Sequence, residues 1–158
     1  MKVKDLMVEP VIVVRERASL EEVACTMLEH GIGCLPVVDE RGEISGIITE
    51  SDFMAKEKGI PFSTFCAPQL FGRWVDEESI ERIYTAARKM TAQEIMRRKV
   101  VTVTEGDSVA AVLDRMLRHN ITRIPVVRNQ TPVGMVARHD LLKLMAQSKE
   151  ILNSAKAL

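Results

Sequence analysis

The chain repeats itself, and that repeat limits its possible folds more than any other feature. The segment Lys2–Met7 is similar to Thr91–Met96, with Met7 matching Met96 at an offset of 89 residues. The same offset carries Val14 onto Val103, Glu16 onto Glu105, Ser19 onto Ser108 and Val23 onto Val112. It continues through Met27-Leu28 onto Met116-Leu117, His30 onto His119, Ile32 onto Ile121, and Pro36-Val37-Val38 onto Pro125-Val126-Val127. One residue is lost in the next turn, after which Gly46 matches Gly134 and Asp52 matches Asp140. An ordered series of this kind marks two copies of one structural unit. The copies span 1–58 and 91–147, separated by an insert at 59–90 and followed by a tail at 148–158.

Each copy shows the same order of elements. Val11–Val14 and Val100–Val103 are β-branched runs that predict strands. Leu20, Val23, Ala24, Met27 and Leu28 then fall at helical spacing, as do Val109, Val112, Leu113, Met116 and Leu117. Ser19 with Glu22 forms a capping box at the first helix start. Gly31 and Asn120 stand at the matching ends, where a left-handed residue stops a helix. His30 and His119 precede them as partners for the negative helix end rather than as metal ligands. Second strands follow at Leu35–Asp39 and Ile124–Val127, third strands at Ser45–Thr49 and Val133–Ala137. Helices at about 51–58 and 139–146 close each copy. The class is α/β (α+β), two β-α-β-β-α repeats. A unit of fewer than about 60 residues is marginal alone, so the copies are expected to pack together about a pseudo-twofold axis.

Composition narrows the function. Formal net charge is zero, with 22 basic and 22 acidic residues, which speaks against a polymer nucleic acid as partner, since phosphate neutralisation needs a basic surplus. No apolar run approaches the ~20 residues of a membrane helix, and the start Met1-Lys2-Val3-Lys4-Asp5 is unlike a signal peptide. A cytoplasmic protein is expected. The three cysteines, Cys25, Cys34 and Cys66, are odd in number and lack a C-x-x-C pair, which predicts reduced thiols, two of them buried.

The end of the first copy, Gly46-Ile-Ile-Thr-Glu-Ser-Asp52, carries the main candidate site. Thr49 and Asp52 can act as a helix cap, the carboxylate favouring the positive helix end. The same geometry can hold a ligand, with a hydroxyl on a phosphate and a carboxylate accepting both ribose hydroxyls. The second copy reads Gly134-Met-Val-Ala-Arg-His-Asp140, so Ala137 replaces the threonine while the acid stays. Arg138 and His139 either supply charge there or are ordinary surface residues. A phosphate contact by His139 would add a pH dependence near neutrality.

These combined motifs, Leu-Met … Val … Pro-Val-Val-Asp … Gly-x-Ile-Thr-x-x-Asp in tandem copies, resemble the cystathionine-β-synthase (CBS) domain. Two in tandem resemble a stand-alone Bateman module, and the resemblance covers most of the chain. It implies a regulatory module that binds an adenosine-containing ligand, such as AMP, ADP, ATP or S-adenosylmethionine, and that pairs as a homodimer. It also implies sites shared between repeats. Thr49 and Asp52 would be joined by Val101, Thr122 and Arg123. Asp140, Arg138 and His139 would be joined by Ile12, Gly33 and Cys34. Arg123 could fork onto a phosphate, or be a solvated strand-end arginine. No metal and no catalytic residue is implied, and no cofactor beyond the regulatory ligand. The ligand would act by favouring one conformation, altering the activity of a partner protein.

Other readings compete with this one. The chain could be a ligand-free interaction module in which Thr49 and Asp52 form only a cap. An enzyme would have to rest on Cys34 with a histidine, and no orienting group or oxyanion loop accompanies them. A DNA regulator lacks a helix-turn-helix pattern. Charge is divided between the copies, with 7 basic and 12 acidic residues in 1–58 against 9 and 5 in 91–147. That division either draws the copies together and attracts a polyphosphate or is a chance bias of solvated faces. The insert holds Phe62, Phe65, Phe71, Trp74 and Tyr84, too aromatic for a flexible linker. Asp76 reads as a helix cap, with Val75 and Ile80 as a staple and a helix running to about Arg88. The insert is expected to be an ordered connector with a dimer contact.

Overall fold

A computed structural model of the chain describes residues 1–53, 85 and 87–142. The expectations for Phe62 to Tyr84, for Cys66 and for the later turns of the closing helices lie outside the described residues.

Two three-stranded sheets organise a mixed α+β fold. The first contains β1 (Val14–Arg15), β2 (Cys34–Val38) and β3 (Ile44–Thr49), in the order β1-β2-β3. The second contains β4 (Val103–Thr104), β5 (Arg123–Arg128) and β6 (Thr131–Ala137) in the same relation. In each sheet the first pair is parallel and the second antiparallel. The parallel pair is joined by an eleven-residue helix, α1 (Leu20–His30) in the first repeat and its counterpart Val109–His119 in the second. The other helical segments are α2 (Glu50–Phe53), α3 (Ala92–Ile95), with α4 being Val109–His119. Residues 138–142 are helical as well.

The caps follow from local chemistry. The Ser19 side chain accepts from the Glu22 N–H at 3.2 Å, and the Glu22 carboxylate accepts from the Ser19 N–H at 2.7 Å. Ser108 caps α4 through the Ala111 N–H at 3.2 Å. Gly31 and Asn120 both adopt the left-handed conformation, with φ of 61° and 49°, as their types permit. One part of the helical pattern differs from expectation. Val23, Met27, Val112 and Met116 are buried, but Leu28 is 82% and Leu117 77% exposed. These two sit at the edge of the apolar stripe, beyond the width the sheet covers.

The packing units do not follow the sequence repeats. One compact unit runs Ile12–Val100, and the other joins Met1–Val11 to the chain from Val101 onward. The leading segment of each repeat therefore belongs to the core of the other. Ala92, Ile95 and Met96 are buried with Val14, Leu20, Val23, Met27, Leu35, Val37 and Ile48. Val3 and Leu6 are buried with Val103, Val112, Met116, Ile124, Val126 and Val136. Each fully buried side chain of this kind contributes about 1.5–3 kcal/mol, so the exchange enlarges two cores that single repeats would leave small. Hydrogen bonds fix it symmetrically. Arg97 and Ile47 exchange backbone bonds at 2.9 and 3.0 Å, as do Val8 and Met135 at the matching place.

The exchange also explains the short first strands. Val11–Val13 and Val100–Thr102 were expected in β1 and β4 but lie outside the ladders. They span the points where the chain passes from one unit to the other. Their apolar character read as strand pattern.

Candidate ligand-binding site

Gly46 begins the candidate motif because Met96 packs over it. A Cβ at Gly46 would stand 2.7 Å from Met96 Cγ and 3.0 Å from Met96 Cβ. At Gly134 a Cβ would meet Met7 Sδ at 2.7 Å and Cγ at 3.2 Å. Each glycine thus admits the methionine of the exchanged segment against the third strand, just before the strand leads into the acidic corner.

At that corner the Asp52 carboxylate accepts bonds on both oxygens. Oδ2 takes the Thr49 N–H at 2.8 Å and the Thr49 hydroxyl at 2.9 Å. Oδ1 takes the Arg97 Nε–H at 2.8 Å. The Thr49 hydroxyl therefore donates to Asp52. In the second repeat Asp140 Oδ2 accepts the Ala137 N–H at 2.9 Å, with no hydroxyl at residue 137.

The same acid-to-backbone bond recurs elsewhere. Glu94 receives the Thr91 N–H at 2.6 Å and its hydroxyl at 2.9 Å, and Asp107 receives the Thr104 N–H at 2.8 Å. The motif is thus common local chemistry in this chain. Burial separates its instances. Among the described residues, Asp52 and Asp140 are the buried charged side chains, at 2% and 6% exposure, whereas Glu94 is exposed and Asp107 half-buried. A carboxylate removed from water is costly unless bonded, and a cap needs no such burial.

Burial alone would raise the Asp52 carboxyl. The Thr49 N–H, the Arg97 guanidinium and the Thr49 hydroxyl outweigh it and hold the group below its ordinary value of 3.8. Because the folded value is the lower, this carboxylate stabilises the fold above about pH 4 and the contribution is lost as pH falls through the folded value. Asp52→Asn is expected to lose stability at neutral pH and to show a flatter acid limb. Thermal unfolding between about pH 7 and about pH 2.5 checks this; parallel curves for the two proteins would contradict it.

The other expected residues fall in both units. Ile12, Gly33 and Cys34 lie with Thr49 and Asp52 in the unit Ile12–Val100; Val101, Thr122, Arg123, Arg138 and His139 lie with Asp140 in the other. Cys34 pairs with Thr49 across β2 and β3, and the Gly33 carbonyl accepts the Glu50 N–H at 3.1 Å. In the other unit Arg123 pairs with Ala137, and the Thr122 carbonyl accepts the Arg138 N–H at 2.8 Å. Gly33 and Cys34 are buried, Ile12 and Val101 half-buried, and Thr122, Arg123, Arg138 and His139 exposed. Cys25, by contrast with Cys34, is exposed.

Arg97 was not anticipated. The repeat alignment holds a signal for it, since Arg97 follows Met96 where Val8 follows Met7. An arginine replaces an apolar residue at the register that faces the third strand. A shallow polar cleft of about 600 Å3 lies at the opposite end of the first sheet, lined by Arg15, Arg17, Asp39 and Arg41 among others, and includes none of the expected residues. Among the described residues no group of three or more His, Cys, Asp or Glu is placed to hold a metal ion. No helix there is long and apolar enough to cross a membrane.

Comparison with known proteins agrees with this architecture. A family model described as "CBS domain" matches residues 3–59 and 92–147. The CBS domain of a CBS-domain-containing membrane protein from Sphaerobacter thermophilus is 46% identical with a TM-score of 0.74, covering 91% of this chain and 87% of that one. The CBS domain pair of protein MJ0100, solved with 5′-methylthioadenosine and S-adenosyl-L-methionine, is 30% identical with a TM-score of 0.68, covering 94% and 98%. L-aspartate semialdehyde sulfurtransferase of Methanocaldococcus jannaschii is 32% identical over 148 residues, 93% of this chain, but the chain spans only 24% of that relative's length.

Proposed function

The chain belongs to the CBS-domain family, and from that premise we propose that it is a regulatory module that binds an adenosine-containing ligand, with Asp52 and Asp140 as the ribose acceptors. The observation that carries this reading is the burial of these two carboxylates at matching places in the two repeats. A carboxylate can accept both hydroxyls of a ribose diol as charge-assisted bonds. The MJ0100 domain pair, which binds two adenosine derivatives, supports the ligand class. Thr49 acts through Asp52, orienting its carboxylate with hydroxyl and backbone. Ligand binding would then favour one conformation of the module and so change a partner's activity. The role is binding and regulation rather than catalysis.

The competing reading, a ligand-free interaction module, draws on one observation. The Thr49–Asp52 bonds repeat the geometry of the exposed Thr91–Glu94 pair. It leaves the burial of Asp52 and Asp140 without a purpose.

We also propose a homodimer, supported by Leu28 and Leu117, large apolar side chains exposed at matching positions of the two repeats. Native mass spectrometry of the purified protein with added AMP or 5′-methylthioadenosine tests both proposals together. The expected spectrum shows a dimer with adenosine ligand retained; a monomer would overturn the dimer, and ligand-free species at millimolar nucleoside would overturn the binding function.

A further inference from the structure

We infer that Arg97 is a charge selector that makes the Asp52 corner prefer phosphorylated adenosines over neutral or cationic ones. This rests on the reading of Asp52 as a ribose acceptor and narrows its ligand class.

Both oxygens of the Asp52 carboxylate are engaged, Oδ2 by Thr49 and Oδ1 by Arg97. The Asp52 side chain is 2% exposed, while that of Arg97 is 54% exposed. A ribose diol that takes two bonds from this carboxylate must displace a donor. The Thr49 N–H cannot leave without unwinding the strand end; its hydroxyl can turn away but carries no charge with which to distinguish one ligand from another. The Arg97 guanidinium sits on a long, half-exposed stem and can swing away.

What the guanidinium receives in exchange decides the ligand. A phosphate on the same ligand offers it two parallel charge-assisted bonds in place of the one to Oδ1. Ribose then takes Asp52 and phosphate takes Arg97, and no charge is left unpaired. A neutral nucleoside offers nothing to the displaced cation. A cationic adenosyl compound adds like-charge repulsion.

The second repeat supplies an internal comparison. Val8 makes the same backbone bridge to Met135 that Arg97 makes to Ile47, without a cation at that register. The arginine is therefore not required for the exchanged segment to pair. The two acidic corners differ in selector as well as in the Thr49-to-Ala137 change.

Calorimetric titration of the full chain with AMP and with adenosine tests the inference, using Arg97→Gln and Arg97→Lys. Asp52→Ala identifies which binding event belongs to this corner. Wild type is expected to bind AMP at least about tenfold more tightly than adenosine in that event. Arg97→Gln, which keeps an N–H donor but no charge, should bring the two affinities together by weakening AMP without weakening adenosine. Arg97→Lys should keep most of the preference. If Arg97→Gln changes both affinities equally while Asp52→Ala still removes the event, the selector role falls and the ribose reading stands. If wild type shows no Asp52-dependent event with either ligand, both fall.

Discussion

Asp52→Ala is expected to remove this corner's share of the rise in Tm that AMP produces in the wild-type protein, leaving only what the Asp140 corner adds, while the ligand-free variant still unfolds cooperatively. A ligand at 100 times its Kd stabilises by about 2.7 kcal/mol, which is several degrees in Tm for a chain of this length. Loss of two charge-assisted bonds weakens binding by roughly two orders of magnitude or more, so this corner's stabilisation at the same ligand concentration should fall to about 0.4 kcal/mol or less. The cost to the unliganded fold is smaller, because the change removes a cap of about 1 kcal/mol and leaves Arg97 half exposed to water. Differential scanning calorimetry with and without AMP separates these effects. A variant that unfolds at much lower temperature yet keeps its full AMP shift would show Asp52 to be structural alone.

The second large effect concerns Gly46. Gly46→Val should destabilise the protein by about 1–3 kcal/mol, the usual cost of overfilling a packed site. The added carbons would collide with Met96, which is 7% exposed and anchored by the Ile47–Arg97 bridge. The double variant Gly46→Val with Met96→Ala is expected to be less destabilised than the two single costs combined, because the same contact is involved in both. Chemical denaturation of the four proteins measures this coupling. Strict additivity would mean that the exchanged segment does not pack on Gly46 as described.

Much of this was legible in the sequence because repetition acts as a control. The strands, the eleven-residue helices, the serine caps at Ser19 and Ser108 and the left-handed ends at Gly31 and Asn120 each appear in both repeats, and each obeys a short-range rule. The exchange of leading segments was not legible. Lys2–Met7 and Thr91–Met96 were recognisably the same segment, but nothing local shows which sheet such a segment joins. Leu28 and Leu117 fit the helical period and are nonetheless exposed, since periodicity fixes a face and not how far the sheet extends beneath it. At the site, Thr49 and Asp52 were visible as a pair. The bond to Asp52 from Arg97 came from a residue 45 positions away, and long-range pairing of that kind leaves no spacing to read. The mismatch of Arg97 with Val8 was its trace in the sequence.

The most direct test compares AMP with its 2′,3′-dideoxy counterpart by calorimetry on wild type and on Asp52→Ala. A carboxylate that accepts the ribose diol predicts that wild type loses roughly 10- to 100-fold in affinity for the dideoxy nucleotide in the event that Asp52→Ala weakens, and that at this corner the variant binds the two nucleotides alike. Equal affinity of wild type for both nucleotides would contradict the assignment of Asp52 as the ribose acceptor.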